Sequence, residues 1–161
     1  MIEVAGLVGT VVQGYRWLRV WHARQAQPAH LPANAILAFQ RFKAAYDAKD
    51  VRSLAACISD GYQGDVFGAR SKGELLRVQG EVFRRLLRGV YPCLSISVYN
   101  IIKDGPRGFS AILDTRSRAT VLRIPLWTYD SAPLRCTIRP EGPYHWWRVT
   151  ELFVQWDLVQ R

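Results

Sequence analysis

The interval at which apolar residues recur changes once in this chain, at Pro92, and that change limits what its 161 residues can build. Before Pro92 the apolar side chains return every three or four residues, the spacing of a helix face. After it they return every second residue, the spacing of a strand with one face buried. In "CLSISVYNII", Leu94, Ile96 and Val98 alternate with Ser95 and Ser97. "LRCTIR" sets Leu134, Cys136 and Ile138 against Arg135, Thr137 and Arg139. "KDGPRG", "SAP" and "PEGP" are turns, and "FSAILDTRSRATVLRIPLWTY" is long enough for one bent strand or two. Helices followed by a meander of strands is an α+β pattern, with three helices packed on one face of an antiparallel sheet.

The helices carry their own start signals. Asn34 is placed to cap a helix with Ala35, Ala38, Phe39, Phe42, Ala45 and Tyr46 on one face. Asp50 is placed to cap a shorter one with Val51, Leu54, Ala55 and Ile58 inward. "DGYQGDVFG" then breaks the chain with three glycines. Ser71 and Glu74 have capping-box spacing, and Leu75, Val78, Val82 and Leu86, with the offset Phe83 and Leu87, form a broad apolar face. Gly89 and Pro92 are read as its end.

Residues 1–33 read as a separate unit ahead of a domain at 34–161. Val4, Val8, Val11, Tyr15 and Leu18 form one stripe of an amphipathic helix, with Arg16, Arg19 and Arg24 at the end that the helix dipole favours for cations. Gly6, Gly9 and Gly14 weaken that helix in isolation, so it needs a surface. Its own domain, a partner subunit and an anionic lipid surface under residues 1–24 all remain open. "QAQPAHLPAN", with Pro28 and Pro32, is the linker.

Net charge of +9 favours anionic partners, although a solvated basic surface explains it equally well. Cys57, Cys93 and Cys136 are odd in number and lack a C-x-x-C pair, against both a disulfide framework and a zinc site. Glu3 stands where a secretory signal carries its positive region, and no apolar run reaches the ~18 residues of a membrane span. The expected compartment is cytoplasmic. No phosphate loop, nucleophile elbow or redox pair is present, and neither cofactor nor metal is expected.

Four features together resemble the nuclear transport factor 2-like (SnoaL-like, cystatin-like) superfamily over about residues 34–157. They are "ILAFQRFKAAYDAKDVRSLAACISDGY", "GDVFG", "SKGELLRVQGEVF" and "WWRVTELFVQW". The resemblance implies a cone: a strongly curved sheet wrapped against the helices, with a pocket at one end. It implies no single function, because the fold serves isomerases, cyclases, dehydratases, epoxide hydrolases and non-enzymatic subunits. Two patterns used by some of those enzymes are missing. No second His stands at the usual helix-to-strand transition for a His–Asp dyad, and "DTRSR" has the Arg-x-Asp residues in the wrong order.

Strict alternation divides "YHWWRVTELFVQWD" into two sets. His145, Trp147, Val149, Glu151 and Phe153 form one, and the resemblance turns it to the pocket through the spacing of Trp147 and Val149. With Phe39 and Tyr46 from the first helix, Trp147, Val149 and Phe153 are the expected lining. Asp65, Glu151, Tyr62 and His145 are the catalytic candidates under an enzyme reading, a buried carboxylate moving a proton and a phenol stabilising an enolate. The plainer alternatives are an ion pair of Glu151 with an arginine such as Arg123, and an Asp65 that satisfies turn N–H groups. Tyr144, Trp146, Arg148, Thr150, Leu152, Val154 and Trp156 form the other set, too apolar for a free outer face. Tyr144, Trp146, Arg148, Leu152, Val154 and Trp156, with Val11, Tyr15 and Leu18, are therefore the expected contact surface for a protein partner or a second copy.

The leading expectation is a non-catalytic binding or assembly module. The alternative is a small-molecule pocket enzyme of isomerase, cyclase or dehydratase type, with a small apolar ligand. An RNA- or ribosome-associated domain is a further alternative, suggested by charge and by arginines near aromatic residues.

Overall fold

The structure, a computed structural model, describes residues 31–105 and 107–158. The N-terminal helix, and with it Val11, Tyr15 and Leu18, lies outside the described residues. Helix α1 (Ala33–Asp47) leads through α2 (Val51–Ala56) into strand β1 (Ile58–Gly64). A 3-10 turn (Val66–Gly68) and α3 (Lys72–Arg85) follow. Strands β2 (Tyr91–Asp104), β3 (Gly108–Val121), β4 (Ile124–Asp130), β5 (Leu134–Glu141) and β6 (Trp146–Val154) complete the sheet, before a closing 3-10 turn (Trp156–Leu158). The strand order is β1-β6-β5-β3-β2, with β4 paired to the far end of β3. The sheet is curled but not closed. Among the described residues no helix is long and apolar enough to cross a membrane.

Two of the three helix starts agree with the sequence. Asp50 accepts hydrogen bonds from the N–H groups of Arg52 and Ser53, both at 3.0 Å. Ser71 accepts from Glu74 N–H at 3.3 Å, and the Glu74 carboxylate reaches back to Arg70 N–H at 2.7 Å. Helix α1 differs. It begins at Ala33, with Pro32 in the cap position and no side-chain cap, so Asn34 sits within the first turn. Proline carries the φ that opens a helix and needs no donor there. Helix α3 stops at Arg85, where Leu86 becomes extended, and Leu87 beyond it is exposed. Its buried stripe is Leu75, Gln79 and Phe83, four residues apart, while Val82 faces solvent.

Three further features shape the site. "ISDGYQG", read as the end of a helix running into a loop, is strand β1, and it pairs parallel with β6 through Ile58–Val149 and Gln63–Glu151. The long run after Gly108 is two strands, turned at Leu122 and Arg123, which both take positive φ.

The third feature is a bulge in β6, a departure from the sequence reading. Thr137 of β5 pairs with Glu151, but the next residue, Ile138, pairs with Val149. Thr150 is the extra residue, and every side chain after it changes face. Trp147 and Val149 point to the helices before the bulge, and Leu152 and Val154 do so after it. Glu151 and Phe153 are moved to the opposite face, beside Thr137 and Arg135. The strict alternation expected from the sequence is corrected on this point. The helix-facing side then reads continuously: Leu94 and Ile96 on β2, Leu113, Thr115 and Ser117 on β3, Leu134 and Cys136 on β5.

Candidate functional site

Between the helices and that face lies a cavity of about 100 Å³. Helix α1 contributes Phe39, Phe42 and Tyr46, and α3 contributes Leu75 and Gln79. Leu94, Ile96, Leu113, Leu134, Val149 and Leu152 form the sheet wall, and Phe67 and Tyr129 stand at the mouth. The wall is apolar because alternate strand residues face it and those residues are aliphatic.

Six polar side chains interrupt it: Tyr46, Gln79, Thr115, Ser117 and Ser131, with Tyr129 at the mouth. The Tyr46 hydroxyl and Ser117 Oγ share a hydrogen bond at 3.2 Å. Thr115 and Ser131 share another at 2.6 Å, and Ser131 also donates to Ala132 C=O at 2.9 Å. Gln79 is 9% exposed, and its Oε1 accepts no hydrogen bond. A buried amide oxygen left unmatched costs about 1–3 kcal/mol, which a ligand donor can recover. Burial raises the Tyr46 pKa above the ordinary phenol value, opposed by the Ser117 hydrogen bond and reinforced by Asp47. Tyr46 is therefore a neutral hydroxyl donor throughout the neutral range. Among the described lining residues there is no carboxylate, imidazole, ammonium or guanidinium group.

Of the expected lining residues, Phe39, Tyr46 and Val149 do line the cavity. Trp147 shares their face but packs on Phe109, ring centroids 5.7 Å apart. Phe153 lies on the other face, under the Arg135 guanidinium at 5.4 Å. The catalytic candidates are dispersed. Asp65 Oδ1 accepts from Val154 N–H at 2.7 Å, and its own N–H donates to Leu152 C=O at 3.1 Å, so Asp65 fastens the end of β6. Glu151 accepts from the Thr137 hydroxyl at 2.9 Å on the face away from the helices. Tyr62 is buried in the core next to the cavity, with its hydroxyl against Gly64 and without a hydrogen-bond partner. Burial first, then the Asp65 charge, pushes its phenol well above the ordinary value. His145 is exposed in the β5–β6 turn, at φ +49°, donating its N–H to Gly142 C=O at 3.2 Å. No single cavity gathers these four.

The expected contact set also divides. Leu152 lines the cavity and Val154 packs on the core, so neither belongs to an outer surface. Tyr144, Trp146 and Trp156 are exposed, with Arg41 stacked 4.5 Å over Trp146. Arg148 is half-buried, 3.8 Å from Glu141. The three cysteines are free, and burial pushes the Cys136 thiol up to about 12. Among the described residues no group of three His, Cys, Asp or Glu is placed to hold a metal ion.

The polar residues that sequence reasoning missed had a signal. Thr115 and Ser117 alternate with Asp114, Arg116 and Arg118 in "DTRSR". Charged groups on one face of a strand send small hydroxyls to the other. Gln79 had the weaker signal of a polar residue four positions from Leu75 and from Phe83.

No protein-family model matches this chain, and no curated protein matches it. Solved structures do. Aln2 from a Streptomyces species superposes with a TM-score of 0.65 at 14% identity, over 81% of this chain and 97% of that one. An NTF-2 like protein of unknown function from Shewanella oneidensis superposes at 0.55 and 10% identity, over 74% and 94%. A ketosteroid isomerase-like protein from Erwinia carotovora atroseptica gives 0.51 and 15%, over 75% and 92%. At these identities the likeness is one of architecture, and with the helices, strand order and cavity above it establishes that this chain has the nuclear transport factor 2-like fold.

Proposed function

We propose that the chain works through its cavity, as a small-molecule pocket enzyme of isomerase, cyclase or dehydratase type. In this reading Tyr46, rather than Asp65 or Glu151, faces the substrate. The observation that carries it is the Tyr46–Ser117 pair set in a mostly apolar wall whose described residues carry no charge. If Ser117 donates to the Tyr46 oxygen, the phenol proton is free to point at a substrate carbonyl. A hydrogen bond of this kind strengthens as negative charge gathers on that oxygen, so the pair polarises a carbonyl; the described lining holds no carboxylate or imidazole, and a proton that the substrate gives up passes to water at the mouth. The wall orients the molecule and excludes water. The likeness to a ketosteroid isomerase-like protein agrees with this class of chemistry.

The test uses acetophenone, an apolar ring with one carbonyl. Its C=O stretch is expected to fall in frequency when it binds the full chain and to return towards the free value in Tyr46→Phe. A wild-type protein that binds acetophenone with no such shift, or that does not bind it, overturns the reading.

A second reading, an assembly module, is favoured by one surface. Leu122, Ile124 and Leu126 are all exposed on β4 and its turn, Leu122 at 91%. Sedimentation velocity at rising concentration, with Leu126→Glu as the control, tests it. A monomer throughout counts against self-association.

A further inference from the structure

The cavity is small. At about 100 Å³ it is smaller than a ~150 Å³ void that takes up benzene, so a single ring fills it to the mouth. A ligand of more than one ring must extend through the mouth. Phe67 and Tyr129 stand there, and Trp127 lies beyond Tyr129. The rings of Phe67 and Tyr129 are 6.5 Å apart, and Trp127 stacks on Tyr129 at 5.9 Å and 23°. All three are exposed: Phe67 54%, Tyr129 43% and Trp127 60%.

Their placement follows from the strand register. Tyr129 pairs with Ser117 and Trp127 with Ala119, so both rings stand on the sheet face that carries the cavity wall. Strand β4 extends that face outward. Phe67 approaches from the loop after β1, at φ +55°, a left-handed conformation that disfavours a bulky residue. Gly68 follows at φ +74° with open space around its Cα, and the turn is held by Gly68 N–H donating to Asp65 C=O at 2.9 Å and Ala69 N–H to Val66 C=O at 3.1 Å. Backbone strain that holds an exposed ring at a cavity mouth points to use rather than to packing.

We infer that Phe67, Tyr129 and Trp127 form an outer subsite that stacks the flat, ring-bearing part of a ligand whose oxygen-bearing end sits at Tyr46. The substrate class is then an elongated molecule of fused or linked rings with an oxygen function at its inner end. This rests on the pocket reading above and adds the size and shape of the ligand.

Calorimetric titration with phenol, 2-naphthol and 2-hydroxyanthracene separates the two. On the full-length protein, affinity is expected to rise along the series. Trp127→Ala and Phe67→Ala should each leave phenol within about twofold and weaken 2-hydroxyanthracene by roughly three- to tenfold, the worth of an aromatic contact. Both side chains are exposed, and circular dichroism confirms that the variants fold. Equal loss for all three probes, or none for 2-hydroxyanthracene, overturns the outer subsite. The inner pocket is judged apart from it, by Leu94→Phe. If that substitution in the cavity wall leaves phenol binding unchanged, the pocket reading falls, and the outer subsite still stands or falls on its dependence on Trp127.

Discussion

Gly64 shows how closely single positions are fitted around the site. A Cβ there would stand 2.2 Å from the Tyr62 hydroxyl and 2.4 Å from Leu152 C=O. The carbonyl belongs to β6 and cannot move without disturbing the strand pairing. Gly64→Ala is expected to destabilise the fold by about 1–3 kcal/mol, as overpacking does, measured by urea denaturation. Asp65, next in the chain, is the acceptor for Val154 N–H. Asp65→Ala leaves that half-buried donor unmatched and should lose about 1–3 kcal/mol, whereas Asp65→Asn keeps a carbonyl oxygen and should lose less. If Asn and Ala are equally destabilising, Asp65 does not act through this bond. The sequence offered Asp65 a proton-transfer role or the N–H groups of its own turn, and the N–H it accepts from belongs instead to β6. The partner N–H lies 89 residues away, and no local pattern reports a contact of that span.

At the scale of elements, the helix starts were legible because capping is local chemistry. The Ser53 side chain and N–H hold the Asp50 carboxyl below the usual carboxylate range. Its contribution to α2 is therefore complete above about pH 4, the unfolded value, and is lost as pH falls through the lower folded value. Asp50→Asn should flatten this part of the acid unfolding curve, followed by circular dichroism. Ser71→Ala should cost α3 about 1 kcal/mol. The face assignment on β6 was not legible, because a bulge is one residue long and Thr150 carries no mark of it. Deleting Thr150 would join Val149 directly to Glu151 and leave a regular alternation, with Glu151 and Phe153 still outward and Leu152 and Val154 still inward. The deletion should therefore keep a cooperative unfolding transition in urea. Loss of that transition would show that the bulge itself is needed for the strand to pair.

For the molecule as a whole, the α+β architecture followed from periodicity alone, since each helix and strand must bury one face. The site did not follow, because it is assembled from α1, α3, β3 and β4, whose polar residues are far apart in the chain. Ligand binding to such a cavity stabilises the folded state by mass action. Phenol at one hundred times its dissociation constant should add about 2.7 kcal/mol and raise the melting temperature, and Leu94→Phe should remove that rise.

The parallel seam between β1 and β6 has a consequence for how the chain comes to be folded. Among the described residues β1 is at the sheet's edge, with β6 as its one strand neighbour. Ile58 must wait for Val149, some ninety residues later. Contacts of that separation form late, because loop closure is costly. During synthesis the helices and the β2–β3 hairpin emerge first, with β1 unpaired and the cavity lacking Val149 and Leu152. A ribosome halted before residue 149 would therefore hold a nascent chain that is mostly made, open along one sheet edge and in need of a chaperone.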